Sequence, residues 1–367
     1  MPRFEPEQWN DWRWQLRNRI TTAEGLRAYG LLTPELERDI ETASRSFRWA
    51  VTPYYASLID PDDPDCPIRK QAIPCRLEIS ERFGTLDPLQ EEANSPVEHL
   101  IRVYPDRVAF CITNQCPMFC RHCLRKRLVG EVDRHLTAEQ VAKGVEYIRS
   151  HSEIRDVLLT GGDALLFPDS RLEELIAELR AIPHVEIIRL GSRAPCTLPQ
   201  RVTTALCDML EKYHPIWINT QFNHPKEITP EAEEACARLL KAGIPLGNQS
   251  VLLKGINDTV PVMKRLVQEL VRIRVRPYYL YQAQTLAGTE HFIVPIETGV
   301  EIIRNLRGFT TGFAEPKYVL DTPYGKIPMG PQYMVGREGD YWVLRSFEGN
   351  IWRELNPVPD EEVFRIR

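Results

Sequence analysis

No apolar run in the 367 residues approaches the roughly 20 needed to span a bilayer. The opening stretch, MPRFEPEQWNDW, has none of the apolar character of a signal peptide. A helical membrane protein is therefore excluded, and a cytoplasmic location is expected. Charge of one sign is not in excess either: 46 Lys and Arg against 51 Asp and Glu leave −5, which gives no electrostatic case for a nucleic-acid partner. Repeats, low-complexity tracts and charge blocks are missing. Hydrophobic residues at 43% and charged residues at 26% lie near globular averages, which argues against a disordered or fibrous chain. The length suffices for one barrel with a smaller appendage, or for a single elaborated domain.

Nine cysteines without a secretion signal point to a reducing compartment, where thiols serve metals or cores rather than disulfides. Three stand together in CITNQCPMFCRHCLRKRLVG, residues 111–130, as the C-x3-C-x2-C array Cys116, Cys120 and Cys123. An iron-sulfur cube normally takes four cysteines, so a cube held by three keeps one iron open to a ligand that is not protein. The same spacing admits a zinc knuckle, for which His122 is the only local fourth ligand, or three packed thiols. Cys66 and Cys75 flank a proline-containing loop, and Cys111, Cys196, Cys207 and Cys236 lie singly in strand or helix patterns. These six are read as packing residues.

Residues 5–50 read as helices. Trp9, Trp12, Leu16 and Ile20 recur at roughly helical spacing, and Thr33 stands ready to cap TPELERDIETASR. Prolines and paired acids between Val51 and Pro96 mark a loop-rich connection. From Val108 strands alternate with helices: VAFCIT, DVLLTG, VEIIRLG, PIWINTQ, PLGNQSVL and RPYYLYQ are separated by five amphipathic stretches. That alternation predicts parallel βα units. Six units are too few for the closed eight-stranded barrel. The last part, 310–367, reads as short β segments (KYVL, YWVLRSF, NIWREL) expected to cap an open barrel.

Around the cysteines the neighbouring residues narrow the reading. WNDWRWQLRNRI at 9–20, YPDRVAFCIT, CRHCLRKR, LLTGGDALL, RLGSRAPCTLPQR, FNHPKEIT, GIPLGNQSVLLKGIND, RVRPYYLYQ and DTPYGKIP together resemble the lysine 2,3-aminomutase family of radical S-adenosylmethionine (SAM) enzymes, over nearly the whole chain. The resemblance implies an α/β fold, a partial (β/α)6 TIM-like barrel at 98–309. An N-terminal helical region at 1–97 would precede it, and a β-containing extension at 310–367 would follow. It also implies three cofactors: a [4Fe-4S] cluster on Cys116, Cys120 and Cys123, SAM at the open iron, and pyridoxal 5′-phosphate (PLP). Relatives of the best-known type carry a C-terminal cysteine cluster for structural zinc; no cysteine follows Cys236 here, so no such zinc is expected.

By the same resemblance, Gly161, Gly162 and Asp163 bind the methionyl amino group of SAM, with glycines letting backbone approach a ligand and the acid accepting from an ammonium. Gln249 lies near SAM; at Gln221 many family members have histidine. Lys326, in GKIP, matches the lysine that forms an imine with PLP, a step needing a neutral amine that partial desolvation helps supply. Its loop is two residues shorter than the family's and has Tyr324 where glycines are usual. Arg107, with Tyr104, matches the partner of the PLP phosphate, and Arg125 that of the substrate's α-carboxylate. Two family aspartates hold the ε-ammonium of lysine; the matching positions are Gln284 and Asp321.

The expected activity is migration of an α-amino group to the β carbon of a free amino acid, with lysine the first candidate. Glutamate, arginine or a lysine carried on a protein are the alternatives within the same chemistry. A one-electron donor such as flavodoxin or ferredoxin and a homo-oligomeric state are expected too. A non-catalytic iron-sulfur module is the rival of another class, and the GGD turn, the lysine loop and the complete strand pattern argue against it.

Overall fold

The computed structural model describes residues 4–80, 83–128, 132–330, 333–346 and 348–356. All six anticipated barrel strands are present: β2 (Arg107–Thr113), β3 (Asp156–Gly161), β4 (Ile187–Gly191), β5 (Ile216–Thr220), β6 (Leu246–Leu252) and β7 (Arg276–Gln282). They pair parallel in sequence order. The five amphipathic stretches form helices at Ala138–Arg149, Asp169–Arg180, Thr204–Glu211, Pro230–Lys241 and Val260–Arg272. Each turns its apolar stripe onto the sheet, as Leu172, Leu175, Ile176 and Leu179 do in the second. Threonines open four of the five by accepting from a backbone N–H of the first turn or by standing at the cap with Pro just inside it.

Three further strands extend this sheet to nine, in the order β1 to β9. β1 (Leu100–Tyr104) runs antiparallel to β2 at one edge. At the other edge the segment KYVL is not a cap. It lies in β8 (Lys317–Thr322), a seventh parallel strand beside β7, and β9 (Gly325–Pro328) then folds back antiparallel on it. The sheet remains open between β1 and β9, and a side chain bridges the gap: the Tyr104 hydroxyl on β1 accepts from the backbone N–H of Lys326 on β9 at 2.5 Å. Gly325 permits that approach, since its φ is +95° and a Cβ there would lie 2.8 Å from the Tyr104 oxygen.

The remaining tail forms a separate antiparallel sheet of β10 (Met334–Glu338), β11 (Tyr341–Arg345) and β12 (Ile351–Leu355). It packs onto the barrel edge through Leu344 against Leu320 and Ile327.

The N-terminal region has the expected helices, including Pro34–Ala43 with the Thr33 hydroxyl accepting from the Leu36 N–H. Its role is clear from where it attaches. Ala50 and Gln71 carbonyls accept from the backbone N–H groups of Phe119 and Arg121, and Arg19 donates to the Cys116 carbonyl at 2.7 Å. A loop rich in backbone groups would otherwise leave them unpaired, so this region holds the cysteine loop in one conformation. Cys66, Cys111, Cys196, Cys207 and Cys236 are buried and free, as packing thiols should be; Cys75 is half-buried.

Candidate active site

The cysteine loop begins at the C-terminal end of β2, where βα barrels place their chemistry. A cavity of about 1050 Å³ opens there, and Cys116, Cys120 and Cys123 line it together with Gly161–Asp163, Gln249, Gln284, Asp321 and Lys326. Arg125, Arg107 and Tyr104 reach the same cavity. Every residue singled out from the sequence thus faces one space.

Burial pushes the Cys116 thiol far above its ordinary range and Cys123 up to about 11. Bare, they stay protonated; a bound metal centre would supply the positive charge that stabilises thiolates. Among the described residues no group of three or more His, Cys, Asp or Glu side chains is placed to hold a single metal ion. Three cysteines on one loop suit a cube, which attaches each thiolate to a different iron. His122 has its Nε2 held by the amides of Gln221 at 3.0 Å and Asn223 at 3.2 Å, while its buried Nδ1 has no hydrogen-bond partner among the described residues. The donor set fits a cluster of three cysteines.

The Gly161-Gly162-Asp163 turn follows β3 and lies against the chain that leads into Cys116. A Cβ on Gly162 would stand 2.4 Å from the Gln115 carbonyl oxygen, and one on Gly161 2.5 Å from that of Thr113. These glycines are required by approach to backbone, not only by approach to a ligand. Asp163 is buried and engaged: its Oδ1 accepts from the Ser192 hydroxyl at 2.6 Å and the Leu165 N–H, and its Oδ2 from the Arg193 N–H at 2.9 Å. Burial pushes its carboxyl up, and these hydrogen bonds oppose the shift.

At the opposite lip, Lys326 pairs with Asp321, Nζ to Oδ2 3.2 Å, and the two residues are also ladder partners between β8 and β9. Tyr281 and Tyr104 rings lie 5.7 and 5.9 Å from Nζ. Burial works to lower the amine's pKa, but the Asp321 charge outweighs it and the amine stays above its ordinary value. Desolvation works toward a neutral amine, as the sequence reading expects, but with Asp321 paired it does not by itself supply one. Arg107 stacks on Tyr104 with its guanidinium carbon 3.7 Å from the ring centroid, and pairs with Asp106 at 2.9 Å. Gln284 donates from Nε2 to the Asp321 carbonyl at 2.8 Å. Arg125, read as a carboxylate binder, forks onto Glu91 with Nη2 to Oε1 at 2.7 Å.

Sequence reading missed Arg193 and Glu91. Both touch anticipated residues, but their partners lie 73 and 34 positions away, and nothing in their local sequence announces the contact.

The radical SAM superfamily model matches residues 110–266, and the lysine-2,3-aminomutase C-terminal model matches 303–362. L-lysine 2,3-aminomutase of Clostridium subterminale is 54% identical over 95% of this chain and 85% of its own length. That of Fusobacterium nucleatum is 53% identical over 97% and 84%. The chain belongs to the lysine 2,3-aminomutase family of radical SAM enzymes. It is an aminomutase, hence an isomerase, and membership implies a [4Fe-4S] cluster and SAM in the cavity just described. Glutamate 2,3-aminomutase of Clostridioides difficile is also similar, 48% identical over 96% of this chain and 85% of its own length. The family thus includes enzymes named for amino acids whose side chains carry opposite charge.

Proposed function

We propose that this aminomutase is PLP-dependent and moves the α-amino group of free L-lysine to its β carbon. The observation that carries the substrate assignment is the Asp321 carboxylate on the cavity wall, with Gln284 tied beside it by an N–H donated to the Asp321 carbonyl. That carboxylate favours a cationic side chain and opposes the carboxylate of glutamate, which would meet Asp321 as a like charge.

In this reading Cys116, Cys120 and Cys123 hold the cluster, and the Gly161–Asp163 turn with Gln249 forms the SAM side of the cavity. Lys326 anchors PLP, with Arg107 and Tyr104 toward its phosphate. When bound, cluster and SAM supply a carbon radical able to take hydrogen, and PLP supplies the conjugation that lets nitrogen migrate. A one-electron donor of the flavodoxin or ferredoxin kind would reduce the cluster.

The chain's own part is positional. Asp163 ties the β3 turn to Ser192 and Arg193, which fixes the wall against which SAM would lie. Tyr104 closes the sheet at Lys326 and fixes the height of its backbone. Arg125 offers a planar fork for the α-carboxylate, which must compete with Glu91 for it. Asp321 holds the Lys326 amine charged until the pair separates and then stands free as counter-charge for the substrate's ε-ammonium.

An anaerobic incubation of reconstituted enzyme with PLP, SAM, reductant and equimolar lysine, arginine, glutamate, glutamine and alanine tests this. β-Lysine should be the product identified by mass. β-Glutamate, or no β-amino acid despite SAM cleavage, would overturn the lysine assignment.

A further inference from the structure

Arg193 stands immediately beyond the end of β4 and is buried, 8% exposed. Its guanidinium is fixed on every side. Nε donates to the Gln221 carbonyl at 3.1 Å, and Nη2 donates to Gln71 Oε1 and Glu227 Oε1, both at 2.7 Å. The remaining arm, Nη1, donates to Cys120 Sγ at 2.8 Å. Its backbone N–H is held in turn by Asp163. The GGD turn therefore does more than line the cavity: it places this cation against a cysteine.

The negative charge facing Arg193 is dispersed. Glu227 is fully buried and also accepts from the Tyr55 hydroxyl, Gln71 Nε2 and the backbone N–H groups of Asn223 and His224. Glu227 thus shares its two oxygens among five donor groups, and Arg193 divides its own contacts between the acid at 2.7 Å through Nη2 and Cys120 Sγ at 2.8 Å through Nη1. A simple buried ion pair would not require the Nη1 arm to reach sulfur.

We propose that Arg193 is a positioning residue for electron transfer, setting the reduction potential of the cluster through its charged hydrogen bond to Cys120. The inference rests on the cluster assignment above. A cation donating to a thiolate stabilises the electron-rich, reduced cluster more than the oxidised one, so it raises the potential. It also holds Cys120 in the orientation that the other two cysteines need.

The test is an EPR-monitored redox titration of anaerobically reconstituted parent, Arg193→Lys, Arg193→Gln and the neutral-pair variant Arg193→Gln/Glu227→Gln, without SAM or substrate, alongside iron analysis. Arg193→Gln should lower the reduction equilibrium constant about tenfold, ~59 mV for one electron. Arg193→Lys, which keeps the charge and loses the fork, should fall between. Should Arg193→Gln fail to fold with Glu227 left unpaired, the double variant decides, and it too should titrate at a more negative potential. Variants that hold the parent's iron at the parent's potential overturn the proposal while leaving the cluster intact; a parent that takes up no cluster overturns the assignment beneath it.

Discussion

Lys326 and Asp321 face each other across the β8–β9 ladder with 3.2 Å between Nζ and Oδ2. The acid proposed to meet the substrate is thus already paired with the lysine proposed to hold the cofactor. An ion pair at this site stabilises the charged amine, whereas attachment to an aldehyde requires the neutral one. Asp321→Asn removes the main charge that raises the amine's pKa and leaves burial, which lowers it. Covalent pyridoxyl labelling of Lys326 after borohydride reduction should then reach half-maximum at lower pH in the variant than in the parent. A pH profile that does not move, or a label on another lysine, would refute the pairing's role.

Gly162 offers a sharper steric prediction. In Gly162→Ala the new methyl would meet the Gln115 carbonyl at 2.4 Å and the Asn114 carbonyl carbon at 2.7 Å. Backbone atoms give way only by moving the loop, which costs about 1–3 kcal/mol for an overpacked site. The segment that must shift leads directly into Cys116. The variant should fold with a lowered melting temperature and incorporate less iron per chain on reconstitution. Full iron content would mean that the turn does not govern the cysteine loop.

Much of the barrel was legible because its strands and helices carry different periods. DVLLTG and PIWINTQ are continuous apolar runs between turn residues, and SRLEELIAELRAI repeats its leucines on one face, so elements and their parallel order followed. KYVL was read as a cap because a six-unit barrel was expected, and nothing local distinguishes a seventh parallel strand from an edge strand. The cysteines, Lys326 and the GGD turn were legible as motifs, since each chemistry needs a fixed residue type at a fixed spacing. Partnerships were not legible. The bonds from Arg193 to Cys120 and from Arg125 to Glu91 form between segments joined only by the fold, so Arg193 went unread and Arg125 was read without its acid.

The pairing of Glu78 with Arg121 and Lys126 is of that kind. Glu78 lies between the bidentate Arg121 guanidinium and the Lys126 ammonium, with Nη2 and Nζ 2.5 and 2.6 Å from Oε2, and all three side chains are buried. Burial works to raise its carboxyl, but the two cations outweigh it and hold the group ionised below its ordinary range. Glu78→Gln leaves two buried cations without a counter-charge, an arrangement that costs about 3–5 kcal/mol. The expected result is a large fall in the denaturation midpoint together with weaker cluster incorporation, because Arg121 sits between Cys120 and His122. A loss under 1 kcal/mol would show that water reaches the pair.

Glu354 makes the opposite case, a buried acid with no cation paired to it among the described residues. On β12 it accepts from the Trp352 indole at 2.8 Å and the Thr285 hydroxyl at 3.2 Å. Burial pushes its pKa from 4.5 up to about 7 against those two hydrogen bonds. A folded-state pKa above the unfolded value means that the fold prefers the protonated acid. The associated stability is whole below pH 4.5 and is lost as pH rises through about 7, a loss of about 3 kcal/mol at 1.36 kcal/mol per unit. Glu354→Gln keeps an accepting oxygen for the Trp352 indole, lets the Thr285 hydroxyl accept from the new NH₂ group, and cannot ionise. The variant should gain little over the parent at pH 5 and about 3 kcal/mol at pH 8, read from chemical denaturation at the two pH values. A variant whose stability gain is equal at both pH values would place the Glu354 titration outside this range.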